Sequence, residues 1–141
     1  MKYVVDASVT VRWELNDSDS DKARRLRVAY AHRIHELFAP ETIVWETANS
    51  LLKAERQKNI PPGEAEFLYY DFLRTQPILT SAGPFVARAM RIALRAHAGL
   101  YDVFYVLLAQ REQCELVTAD QRLINNLQPA FPFIRPLSSM P

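Results

Sequence analysis

Four carboxylates stand where this sequence has least reason to put a charge. Asp6 ends the apolar run Tyr3-Val4-Val5, and Asp120 comes two residues after the stretch Glu115-Leu116-Val117-Thr118. Asp102 falls in the first turn of Leu100–Gln113, which is apolar almost all the way round, and Glu46 lies in the amphipathic stretch Glu41–Lys58. A buried charge costs on the order of several kcal/mol unless something pairs with it. Two carboxylates about 4 Å apart repel by roughly 4 kcal/mol at an effective dielectric of 20. A cluster of such acids must protonate, pair with Arg or Lys, or bind a cation. Oxygen donors without His or Cys select Mg²⁺ or Mn²⁺. A water activated by such an ion attacks phosphodiesters, and the ion stabilises charge on the phosphate.

Each acid also has a plainer reading. Asp120 suits the N-cap of a helix over Gln121–Leu127, and Asp102 suits a cap or a helix-dipole partner. Asp6 suits a surface turn. At 100° per residue, Val44, Trp45, Ala48, Leu51 and Leu52 form the core face of their helix, which leaves Glu46 on the solvated side with Asn49, Ser50 and Lys53.

The elements around them decide between these readings. Strands are expected at Tyr3–Val5, Leu37–Ala39, Ile78–Thr80 and Glu115–Thr118, with an extended piece at Phe133–Arg135. Helices are expected over Asp21–Glu36, Glu41–Lys58 with Pro40 in its first turn, Glu64–Arg74, Pro84–His97, Leu100–Gln113 and Gln121–Leu127. Strands alternating with helices mean an α/β fold, a parallel sheet covered on both faces. Ligands bind such sheets beyond the carboxyl ends of the strands, where Asp6 and Asp120 would both lie.

Composition sets the outer bounds. The 141 residues, 49% hydrophobic and 23% charged, fit one domain spanning 1–141 with a real core. Its longest apolar run, Val103–Ala109, is about a third of what a bilayer needs, so no membrane partner is expected. The N-terminus does not read as a signal peptide. The single Cys114 rules out an internal disulfide, reads as a small buried hydrophobe and fits a reducing, cytoplasmic setting. With three glycines there is no phosphate-cradling loop.

Taken together, "VVDASV", "WETANSLL", "YDVFYVLLA" and "LVTAD" resemble, in order and spacing, the PIN-domain ribonucleases, specifically the VapC toxins. That resemblance covers nearly the whole chain. It implies a three-layer α/β/α sandwich around a mainly parallel sheet, and an acidic pocket that holds Mg²⁺ or Mn²⁺ and cleaves RNA to leave 5′-phosphate and 3′-hydroxyl ends. Carried over by position, the catalytic and metal-holding residues would be Asp6, Glu46, Asp102 and Asp120. Ser8 and Thr118 would orient carboxylates or water, with Asn49 as an amide one turn after Glu46. Where some relatives carry a further acid, this chain has only Asn125 or Asn126. A homodimer and a cognate VapB-like antitoxin are also implied.

Other signals point elsewhere. Arg88, Arg91 and Arg95 share a helix face, either solvated or holding RNA phosphates. His32 and His35, three apart on an expected helix, make half a zinc site without a third ligand. Tyr69, Tyr70 and Phe72 read as helix packing. A phospho-receiver would need adjacent acids after the first strand and a late Lys, whereas Asp6 stands alone and no Lys follows Lys58. A phosphatase using Asp-x-Asp would need an acid where Ser8 stands. A non-catalytic RNA- or protein-binding module of the same fold is the remaining alternative.

Overall fold

The computed structural model describes all residues, 1–141. Five strands form one sheet: β1 (Lys2–Val5), β2 (Glu36–Pro40), β3 (Ile78–Thr80), β4 (Glu115–Thr118) and β5 (Ile134–Pro136). Their order is β3-β2-β1-β4-β5, and every neighbouring pair is parallel. Val4, Val5, Leu116 and Val117 are fully buried, which a strand achieves only when helices cover both faces of its sheet. Helix α6 (Leu100–Glu112) lies across β1, β2 and β4 and buries every residue from Val103 to Ala109. Helices α1 (Ala7–Glu14), α2 (Ser20–Ala31), α3 (Ile43–Arg56) and α4 (Glu64–Leu73) pack on one another, α5 (Val86–Ala96) packs on α6, and α7 (Gln121–Leu127) follows β4. The result is the three-layer α/β/α sandwich. No single helix is long and apolar enough to cross a membrane.

The chain leaves central β1 for β2 on one side and reaches β4 on the other, so the strand order reverses between β1 and β4. In parallel sheets that reversal opens a crevice at the carboxyl ends. Val5 pairs with Val117, which sets Asp6 beside Thr118 and two residues from Asp120.

Several boundaries differ from expectation for identifiable reasons. Helix α1 has no counterpart in the periodicity, because β-branched Val9, Thr10 and Val11 argue for a strand. Asp6 starts it regardless, its carboxylate accepting the Ser8 N–H. Helix α2 stops at Ala31, and Arg33 adopts a left-handed φ of 59°, so His32 and His35 lie in a turn. His32 Nδ1 sits 2.9 Å from the Val28 carbonyl, and His35 packs edge-on against Tyr3. They form no metal site. Pro40 ends β2, where a missing N–H is tolerated, and α3 begins at Ile43. Pro84 heads a short 3₁₀ turn, Gly83–Phe85, ahead of α5. On α4, Phe72 is buried but Tyr70 is exposed, and Cys114 is only half-buried.

Helices α1, α2 and α4 are tied by one buried charge cluster. Arg27 reaches Glu14 at 3.3 Å and Asp71 at 3.1 Å, with its guanidinium 5.2 Å from the Trp13 ring centre. The Glu14 side chain is 3% exposed. Burial, and a hydrogen bond to Asp71 that holds the proton on Glu14, push its pKa up to about 7 against the pull of Arg27. A carboxyl raised in the fold stabilises it below the unfolded pKa and loses that contribution as pH rises through about 7. Glu14→Gln mimics the protonated form. Relative to wild type, its melting temperature should climb between pH 5 and pH 8, equivalent to roughly 1–3 kcal/mol. A wild-type-to-variant difference that stays flat across that range would refute the assignment.

Candidate active site at the carboxyl end of the sheet

Asp6, Glu46, Asp102 and Asp120 line one open cavity of about 770 Å³. It lies at the β1/β4 reversal, between the first turns of α3 and α6. Ser8 and Asn49 share the lining, together with Trp45 and Tyr101.

Each acid is held differently. Asp6 is 5% exposed and accepts hydrogen bonds from the Ser8 N–H at 3.1 Å, from the Ser8 hydroxyl, and from the Thr118 hydroxyl at 2.5 Å. Ser8 Oγ in turn accepts the Ala119 N–H, and Thr118 Oγ1 accepts the Asp120 N–H, so two hydroxyls stitch β1 to the β4–α7 turn. Asp120 does cap α7, accepting the Arg122 and Leu123 amides through Oδ1. The capping and functional readings are therefore compatible, because Oδ2 takes no part in the cap. Glu46 Oε1 accepts the Tyr105 hydroxyl at 2.9 Å.

The charges crowd one another. Burial first, and then the negative charge of Asp120, push Asp6 up to about 6, against the hydrogen bonds from Ser8 and Thr118. Asp102 rises to about 7, chiefly through burial, then through Asp120, Asp6 and Glu46, with Arg122 opposing. No hydrogen bond offsets its rise. Glu46 is raised too, first by burial.

Helical periodicity groups Glu46 with Asn49 and Ser50 on a polar face, and that face lines the cavity rather than open water. Helix α3 actually buries Ile43, Thr47, Leu51 and Ala54, and leaves Trp45 51% exposed and Leu52 exposed. The buried hydroxyls of Thr10 and Thr47, 2.8 Å apart, join α1 to α3 and rotate that face inward. A polar Thr on the inner face and a Trp on the outer one defeat a hydrophobicity count. Glu46 is thus half-buried in the cavity wall.

Other expected residues lie outside the cavity. Arg88, Arg91 and Arg95 are exposed on α5, Arg88 bonded to Gln110. Asn125 accepts from Gln121, and Asn126 reaches the His97 carbonyl. Sequence reasoning did not single out Tyr105 or Arg122. Tyr105 is hidden among the apolar residues of α6, whereas Arg122, in the first turn after Asp120, was open to notice.

The donor set suits a hard divalent cation: the candidate donors are carboxylate oxygens, whose mutual repulsion the surrounding hydrogen bonds offset only in part. The carboxylates share the hollow without any three closing to ligation distance. That agrees with an ion that keeps several waters and takes only one or two carboxylates directly.

The family model of the PIN domain matches residues 3–126. Ribonuclease VapC9 of Mycobacterium tuberculosis is 32% identical over 130 residues, 92% of this chain and 94% of its own length. Ribonuclease VapC3 of Pyrobaculum aerophilum is 29% identical over 126 residues, 87% of this chain and 92% of its own. In three dimensions, the crystal structure of PAE2754 from Pyrobaculum aerophilum superposes with a TM-score of 0.71 at 20% identity, covering 99% of this chain and 94% of that one. On the family model and the curated relatives, the chain belongs to the PIN-domain family, among its VapC ribonucleases.

Proposed function

We propose that the chain is a Mg²⁺- or Mn²⁺-dependent endoribonuclease, the toxin of a toxin–antitoxin pair, working as a single PIN-like domain over residues 1–141 in the cytoplasm. The observation that carries this reading is the convergence of Asp6, Glu46, Asp102 and Asp120 on one cavity, where burial, and after it their own charges, raise the carboxyl pKa values of Asp6 and Asp102. The names of the curated relatives support it.

Asp6, Asp102 and Asp120, with Glu46 completing the set, would hold the ion. It would supply charge neutralisation at the phosphate and acidify the attacking water. Ser8 and Thr118 fix both oxygens of Asp6, so that carboxylate enters the reaction already oriented. Asp120 is anchored by the α7 amides through one oxygen, leaving the other for the site. Tyr105 holds Glu46 Oε1, which leaves Oε2 free to complete the ion's ligands or to take the proton of the attacking water. Asn49, at the cavity wall, would orient water or a ribose hydroxyl. Cleavage leaves 5′-phosphate and 3′-hydroxyl ends.

The RNA backbone would be held by Arg88, Arg91 and Arg95, of which Arg95 lies just before the turn leading to Asp102. On another side of α5, Val86, Met90 and Leu94 form an exposed apolar line, and edge strand β3 exposes Ile78 and Leu79. These surfaces support a homodimer. A VapB-like antitoxin would complete the system.

Three outcomes are expected. Asp102→Asn should lower RNA cleavage in Mg²⁺ or Mn²⁺ at least about a hundredfold, and EDTA should abolish wild-type cleavage. Undiminished cutting by the variant in EDTA would end the metal mechanism. Replacing Arg91 and Arg95 together by Ala should weaken RNA binding and flatten its dependence on log salt, by about one unit of slope per lost phosphate contact. An unchanged slope removes those arginines from the RNA path. Leu94→Asp should lower the mass seen by light scattering from dimer to monomer, and an unaltered mass would exclude α5 from the dimer contact.

A further inference from the structure

Five large aromatics, Tyr3, Trp13, Phe72, Phe104 and Tyr105, are buried, and four, Trp45, Phe67, Tyr70 and Tyr101, are exposed. Of the exposed four, only Trp45 and Tyr101, 51% and 45% exposed, form walls of the acid cavity. Each is adjacent in the chain to a site carboxylate, Trp45 to Glu46 and Tyr101 to Asp102, which puts its Cα about 3.8 Å from that of the acid. They come from different helices, α3 and α6, so they flank the acids from two sides. The Tyr101 ring leans on Phe104, with centroids 5.8 Å apart at 34°, which fixes its orientation.

The cavity's charge decides what these rings can receive. Its walls are acidic and its nearest cation, Arg122, is exposed at the rim, so a phosphodiester gains little there beyond its contact with the ion. The uncharged parts of RNA are its bases. An aromatic face accepts any base, and stacking supplies affinity without adding positive charge beside the carboxylates. Bases inside an A-form helix are already stacked and out of reach. A protein segment could also cover apolar rings, but a stacking role fits two separated aromatic walls, one braced from behind, either side of the acids that act on phosphorus.

We infer that Trp45 and Tyr101 stack on the bases flanking the scissile phosphate. The inference rests on the ribonuclease reading above. Trp45→Ala and Tyr101→Ala should each raise KM for a single-stranded oligoribonucleotide about tenfold, with kcat within about twofold, and Trp45→Phe should retain most of the affinity. The same sequence annealed to its complement should resist cleavage. Trp13 is buried, so quenching of tryptophan emission when that oligonucleotide binds the Asp102→Asn protein in Mg²⁺ reports Trp45 and should vanish in the Trp45→Phe background. An active wild type whose KM is indifferent to both Ala variants, or which cuts the duplex equally well, overturns the stacking role and leaves the nuclease standing. So does a loss confined to capture of a protein partner. A wild type with no ribonuclease activity under any divalent ion overturns both.

Discussion

Repulsion between carboxylates at the β1/β4 reversal is the constraint around which the rest of the molecule is arranged. The sheet concentrates negative charge there because Asp6 and Asp120 follow adjacent parallel strands, and the first turns of α3 and α6 add Glu46 and Asp102. Nothing in hydrophobic packing rewards such a gathering. Hydrogen bonds offset part of the cost, with two hydroxyls and one amide on Asp6, two amides on Asp120 and a phenol on Glu46. Proton uptake offsets more, since carboxyls raised to about 6 and about 7 are partly neutral near neutral pH.

Holding repelling groups together requires a rigid frame. Helix α6 is buried along seven consecutive residues, so it cannot tilt Asp102 away without opening the core. Tyr105, on the same helix, reaches across to Glu46, so one core element fixes two of the acids. The buried Thr10–Thr47 pair locks α3 against α1, the helix that Asp6 itself caps. Core packing and site geometry are therefore one set of contacts.

The sequence made much of this legible, and unevenly. Strands buried on both faces give short β-branched runs, so β1 and β4 were readable almost to the residue, as were edge strand β3 from its composition and α7 from its capping aspartate. Asp6 and Asp120 were readable with them, because parallel topology alone puts their positions together. Helix α1 was not, since Val9, Thr10 and Val11 favour a strand, and the local cap by Asp6 together with packing against α2 and α3 overrides them. Periodicity set Glu46 on the polar face with Asn49 and Ser50, but only the fold makes that face a cavity wall, and α3 departs from its pattern in burying a threonine and exposing a tryptophan. The His32–His35 spacing had meaning only on a helix, and α2 ends before it.

A comparison within the molecule gives the acid cavity its meaning. The Glu14 side chain is also withdrawn from solvent, and there the chain provides Arg27, placed between Glu14 and Asp71 and backed by Trp13. The fold can thus install a half-buried guanidinium against paired acids when structure is all that is needed. At the sheet reversal, where more carboxylates meet, it supplies hydroxyls, amides and a phenol, with Arg122 left exposed at the edge. Neutral donors orient carboxylates without neutralising them. An internal Arg would have satisfied the charge permanently and taken the oxygens out of use. Oriented, unneutralised oxygens instead remain available to a cation that arrives from solution, which is the arrangement that the proposed divalent ion completes.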